Sequence, residues 1–176
     1  MDTNIKKEKT AHVSHNTGNY EWYTPLEYIE AARETMGSIG TDPASSEIAN
    51  KTILAKRYHT KEENGLTKEW KGNIWLNPPY AQPLVSEFCG ALVDKFKSGE
   101  IKQAVVLVNN ATETKYFQKM LEVCSAICLV KKRIKFLSPE GKRGSPLQGQ
   151  VILYFGPNTV EFNRQFANFG STAWKK

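Results

Sequence analysis

The chain of 176 residues is poor in the residues that metal and disulfide chemistry require, with three cysteines and three histidines. Cys89, Cys124 and Cys128 are odd in number and lie inside apolar segments, so the sequence predicts buried thiols rather than disulfides. The step from Cys124 to Cys128 is not the CxxC spacing of zinc ligands, and His12, His15 and His59 are scattered, so no metal is expected. Long apolar runs are also missing. Stretches such as Ala104 to Val108 are far too short to span a bilayer, and Met1 to Lys7 lacks the core of a signal peptide. The chain therefore reads as cytoplasmic. No internal repeat is visible.

What is present is the composition of a soluble globular protein, 40% hydrophobic and 24% charged, at a length that fits one domain with a real core. Net charge is +6, which favours polyanionic partners. The excess is local. Between Lys131 and Gly144 stand Lys131, Lys132, Arg133, Lys135, Lys142 and Arg143 against a single acid, Glu140. Taken alone, such a cluster is equally a solvated hairpin tip or a phosphate-binding surface.

Residues 1–18 are polar, lysine-rich and without periodicity, and read as a mobile arm; the domain is placed at 19–170, with a short tail at 171–176. Thr24-Pro25 reads as a helix start, with Thr24 as N-cap and Glu27 placed for a capping box. Leu26, Ile29, Ala32 and Met36 fall on one helical face, and Gly37 ends it. Ser38 to Asp42 reads as a short buried strand ending in a carboxylate, Ala44 to Asn50 as a helical turn and Ile53 to Ala55 as a brief strand. The charged stretch from Thr60 to Gly72 reads as a loop. Strands are expected at 73–76, 104–108, 126–130 and 151–155, and helices at 84–96 and 113–121. This alternation, closed by two strands in succession, predicts an α/β fold with a mostly parallel sheet and a C-terminal antiparallel hairpin. Such sheets bind ligands at the carboxyl ends of their strands, where Asp42 and Asn77 fall.

Asn77-Pro78-Pro79-Tyr80 follows a β-prone run directly. The amino nitrogen of adenine is a poor nucleophile because its lone pair is delocalised into the ring, so a catalyst must grip both amino hydrogens to localise it. The Asn77 carboxamide oxygen and the Pro78 carbonyl can accept those two hydrogens and aim the nitrogen at an electrophilic methyl. Consecutive prolines fix φ and remove competing backbone donors. Tyr80 offers an aromatic face for a base extracted from a duplex. A strand-terminating Pro-Pro turn with Tyr80 packed as core is the plainer alternative. The scheme needs no catalytic Cys, Ser or metal.

Asn-Pro-Pro-Tyr after a strand resembles the catalytic motif of amino-group methyltransferases with a Rossmann-like fold. Glu21-Trp22-Tyr23-Thr24-Pro25, Thr41-Asp42-Pro43-Ala44-Ser45, Val108 to Thr114 and Arg133-Ile134-Lys135-Phe136 follow in the order of the phage-type, Dam-like DNA N6-adenine methyltransferases, and the resemblance runs from about Tyr20 to about Gly156. It implies S-adenosyl-L-methionine as cofactor and double-stranded DNA as partner, with a GATC target. It further implies that Trp22, Tyr23, Thr24 and Pro25 wall the cofactor pocket, with Thr24 near the cofactor's carboxylate. Asp42 would then bind the ribose hydroxyls, with Ser45 in the same segment. Simpler roles exist for each: Thr24 as a helix cap, Asp42 as the first residue of an Asp-Pro turn, Trp22 as a core aromatic.

No Gly-x-Gly loop precedes Asn77, so Asp42 stands either for the family's first cofactor motif or for the acid of the second strand. A base-flipping enzyme must hold phosphates, a task suited to Lys131, Lys132, Arg133, Lys135, Lys142 and Arg143, with Phe136, Pro139, Pro146 and Gln148 available to touch bases. RNA adenine, a protein glutamine amide, or a silent nucleic-acid-binding module remain the alternatives.

Overall fold

The computed structural model describes residues 22–144 and 148–174. The arm expected over 1–18, Glu21 and Pro146 lie outside the described residues. Helices are α1 (Leu26–Met36), α2 (Glu47–Ile53), α3 (Leu84–Lys97), α4 (Lys115–Val123) and α5 (Thr159–Phe166). Strands are β1 (Thr41–Asp42), β2 (Arg57–Tyr58), β3 (Ile74–Leu76), β4 (Ala104–Asn109), β5 (Ala126–Val130), β6 (Phe136–Leu137), β7 (Arg143–Gly144), β8 (Gln150–Phe155) and β9 (Gly170–Trp174).

Seven strands form one sheet in the order β2-β1-β3-β4-β8-β5-β9, and β6 and β7 form a separate antiparallel hairpin. β2, β1, β3 and β4 run parallel, β8 runs against both β4 and β5, and β9 runs against β5. Five strands thus share one direction, as the α/β alternation predicts, and 126–130 pairs antiparallel with 151–155 in the register Ile127↔Leu153. Two apolar layers flank the sheet. One packs Ile74, Leu76, Val106 and Leu153 against Phe88 and Leu92 of α3 and Phe117 and Met120 of α4. The other packs Trp75, Val105, Leu107 and Ile152 against Ile29, Ala32 and Met36 of α1 and Phe162 and Phe166 of α5.

The chain leaves β1 outward to β2, then returns on the other side of β1 to lay down β3 and β4. Strand order therefore reverses between β1 and β3, the position at which open α/β sheets hold ligands beyond their carboxyl ends. Asp42 ends β1 and Asn77 follows β3, so the two border this reversal. Among the described residues β1 is the first strand in the chain, and Asp42 is its last residue.

Four expectations are corrected. Thr24 is not the cap of α1: Pro25 holds that position without a side-chain cap bond, and Leu26 is exposed. The strand expected at 53–55 lies instead at 57–58, because Asn50 bonds the backbone of Ala55 in both directions and Leu54 takes a left-handed conformation (φ 52°), turning the chain there. Ile53 and Ala55 are apolar because they enter the α1 layer. The tail placed at 171–176 begins inside β9, which closes the sheet beside β5. Finally, Phe136 is 4% exposed and belongs to the α1 layer, so it is not a surface group free to touch a base.

Candidate active site

Asn77 emerges from β3 one residue after Leu76, and its side chain shares the α1 side of the sheet with Trp75, whose ring is fully buried. Its Nδ2 donates to Thr24 Oγ1 at 3.2 Å. Its Oδ1 is buried and has no hydrogen-bond partner. Pro78 is buried and Pro79 exposed, so the loop is anchored on one side and open on the other. The Tyr80 ring is half-buried while its hydroxyl is fully enclosed without a partner. Burial raises that hydroxyl's pKa above the ordinary tyrosine value, with Tyr116 and Cys89 nearby adding to the effect.

Asp42 is 2% exposed, and its Oδ1 accepts the Ala44 N–H at 3.1 Å. Burial pushes its carboxyl up to about 7, against the opposing influence of the Ser45 hydroxyl and the Ala44 N–H. The Ser45 hydroxyl is close enough to act on this charge yet makes no hydrogen bond of regular geometry. His59 follows β2 at the same edge: its N–H donates to the Asp42 carbonyl at 3.0 Å and its carbonyl accepts from Ser45 at 2.9 Å. Both of its ring nitrogens are buried without a partner.

Because β8 is antiparallel, its first residue, Gln150, lies at this edge too, opposite Asn109 at the end of β4. Gln150 Nε2 donates to Asn109 Oδ1 at 3.1 Å and to the Gln148 carbonyl at 2.8 Å, and Gln150 Oε1 is left buried and unpartnered. Among the described residues, the buried side-chain polar atoms without partners belong to Ser45, His59, Asn77, Tyr80 and Gln150. Every one stands at or just past the carboxyl edge of the parallel strands. An unsatisfied buried polar atom costs about 1–3 kcal/mol, so this edge is where hydrogen bonds to water or to a polar ligand are needed to complete the structure.

The Trp22 to Pro25 segment lies across this edge. Tyr23 exchanges two backbone hydrogen bonds with Leu137, at 2.8 and 2.9 Å, and so extends the β6–β7 hairpin by a third short rung. Trp22, 40% exposed, lies against Gly144 of β7, where a methyl group would run into its ring. Lys131, Lys132, Arg133, Lys135, Lys142 and Arg143 are all exposed, and the Leu137↔Arg143 register sets the two halves of the basic cluster side by side. Pro139 and Gln148 are also exposed.

Residues 11–166 match the profile of DNA N-6-adenine-methyltransferase (Dam). The chain belongs to the DNA N-6-adenine-methyltransferase family. Among curated proteins, none matches it. In this Dam-family chain the Asn-Pro-Pro-Tyr turn stands at the carboxyl edge, beside the strand-order reversal. Among the described residues of this Dam-family chain, no group of three or more His, Cys, Asp or Glu could hold a metal, and no helix is long and apolar enough to cross a membrane. None of the three cysteines is in a disulfide.

Two polar residues of the edge, His59 and Gln150, escape the sequence reading. Placing β2 at 53–55 leaves His59 in a loop, whereas β2 at 57–58 makes it a strand-end residue. Beginning β8 at Val151 likewise leaves out Gln150, although a glutamine heading a six-residue strand that is buried throughout is itself a signal.

Proposed function

We propose that this Dam-family protein transfers a methyl group from S-adenosyl-L-methionine to N6 of adenine in double-stranded DNA, acting on a base flipped out of the helix. The observation that carries the reading is the Asn77 carboxamide, with its nitrogen tied to Thr24 and its oxygen buried and unpartnered. Such an oxygen is an acceptor in want of a donor, and the exocyclic amine supplies one. The Pro78 carbonyl takes the second amino hydrogen, and Tyr80 stacks on the ring face.

The residues bordering the reversal fit the cofactor. Asp42 accepts ribose hydroxyls, and Ser45 and His59 supply polar atoms that lack partners of their own. Trp22, Tyr23 and Pro25 wall the site from the hairpin side. When bound, S-adenosyl-L-methionine supplies a sulfonium methyl, an electrophile strong enough that the chain needs no nucleophile of its own. Asn77 and Pro78 localise the amine's lone pair, and the amine proton passes to solvent after transfer. Lys131, Lys132, Arg133, Lys135, Lys142 and Arg143 grip phosphates beside the extracted base.

The test is purified protein incubated with methyl-labelled cofactor and duplex DNA, followed by nucleoside analysis. Label is expected on N6-methyladenine, and Asn77→Ala is expected to lower the rate by about 10²–10³, the usual cost of removing one preorganised hydrogen-bonding group, with an unchanged melting curve. Label on cytosine, RNA or a protein amide would overturn the substrate. Absence of cofactor binding by calorimetry would overturn the reaction class. A panel of methylation-sensitive nucleases then reads out the target sequence.

A further inference from the structure

We propose that Thr24 is a positioning residue for Asn77, holding the carboxamide so that its oxygen is the end presented to the substrate amine. The inference rests on the methyl-transfer reading above and deepens it. An asparagine's terminal torsion is broad and roughly two-fold, so an untethered Asn77 would offer either end to the site. Presenting the NH2 end would set donor against donor and lose the grip on the amine.

The structure shows the amide in one of these two settings, with its nitrogen end on Thr24. The Thr24 hydroxyl receives the Nδ2 hydrogen at 3.2 Å, and Oδ1 is left buried and unpartnered. Thr24 is 7% exposed, so the bond is shielded from competing water. Its hydroxyl is also spared a competing duty, because α1 takes Pro25 as its cap residue without a side-chain bond. The backbone on either side is fixed: Tyr23 is bonded twice to Leu137 of β6, and Pro25 leads directly into α1. Thr24 is therefore placed by two rigid elements, the hairpin that carries the basic cluster and the helix that packs on the sheet. Through it the Asn77 amide takes its alignment from both.

Thr24→Val is nearly isosteric and removes the hydroxyl; Thr24→Ser keeps it. A misaligned reacting group costs about 10²-fold, so Thr24→Val is expected to lower kcat by about that factor while calorimetric cofactor affinity and KM for DNA stay within about threefold. Thr24→Ser is expected to restore kcat to within about threefold of the parent protein. In ¹⁵N spectra of the ligand-free protein, one Asn77 side-chain amide hydrogen should be protected from exchange in the parent and in the Ser variant, and lose that protection in Thr24→Val. Unchanged kcat in Thr24→Val overturns the proposal, as does a loss confined to cofactor affinity, which would make Thr24 a direct cofactor contact. Should Thr24→Val not fold, the Ser variant decides: a folded Ser variant with kcat reduced about 10²-fold refutes the role. If the parent protein methylates no adenine, the methyl-transfer reading fails, and the exchange experiment still reports whether Thr24 holds Asn77.

Discussion

At the scale of single residues the site is defined by atoms that lack partners. Tyr80 shows how two roles separate. The residue is half-buried, while its hydroxyl is buried without a hydrogen bond. Tyr80→Phe is expected to raise stability by roughly 1 kcal/mol, because it deletes an unsatisfied donor, and to leave methyl transfer within about threefold. Tyr80→Ala removes the stacking face and should cost about 1–3 kcal/mol in binding a flipped base. Denaturant unfolding and single-turnover rates check the pair; equal damage from Phe and Ala would refute stacking.

Asp42 makes the pH prediction. Its folded carboxyl is pushed up to about 7, so the folded protein holds that proton more tightly than the unfolded chain does. Its contribution to stability is present at low pH and lost as pH rises from the ordinary carboxyl range through about 7. Asp42→Asn should therefore stabilise the ligand-free protein at pH 8, with the gain vanishing toward pH 4. Cofactor affinity of the parent should rise through about pH 7 as the better acceptor forms, and that rise should be absent in Asp42→Asn. Calorimetry across the range measures both.

At the scale of elements, the strong periodic signals were read correctly. α3 and β5 lie where apolar spacing puts them, and the double proline does end β3. What the sequence hid was the use of hydrogen-bonding side chains. Thr24 before a proline has every local mark of a helix cap, yet its hydroxyl serves Asn77, 53 residues away. Asn50 similarly turns the chain at Ala55 and delays β2. Pairings of this kind depend on tertiary placement, which local pattern does not carry.

The hairpin was legible as charge and as a turn between strands, but not as a clasp on the segment before α1. Its clasp on Trp22 and Tyr23 ties the expected cofactor wall to the expected phosphate grip. Lys135→Ala and Lys142→Ala should each reduce the slope of log affinity against log salt by about 1 and weaken binding evenly across DNA sequences. Salt-titrated fluorescence anisotropy checks this, and an unchanged slope would remove those lysines from the phosphate contacts.

At the scale of the whole molecule, the α/β class and the predominance of one strand direction followed from the alternation of elements, whereas the final α5–β9 unit did not. β9 reads Gly-Ser-Thr-Ala-Trp, too mixed to announce a strand, and it forms because β5 offers an unpaired edge. Gly170 there lies against the Leu129 carbonyl, with no room for a side chain. Gly170→Val is expected to cost about 1–3 kcal/mol and lower Tm by roughly 3–10 °C, measured by calorimetry, with cofactor affinity retained because β9 is at the far edge from β1.

The rung between Tyr23 and Leu137 joins two positions separated by most of the chain. Closing so long a loop carries a large entropic cost that local contacts cannot offset early in folding. During synthesis, Thr24 leaves the ribosome long before Leu137 does, so the earlier-made part of the site waits for the hairpin. Nascent chains still short of the hairpin are therefore expected to carry the Asn-Pro-Pro-Tyr turn without methylating DNA, and activity would appear only once Leu137 has emerged and paired with Tyr23.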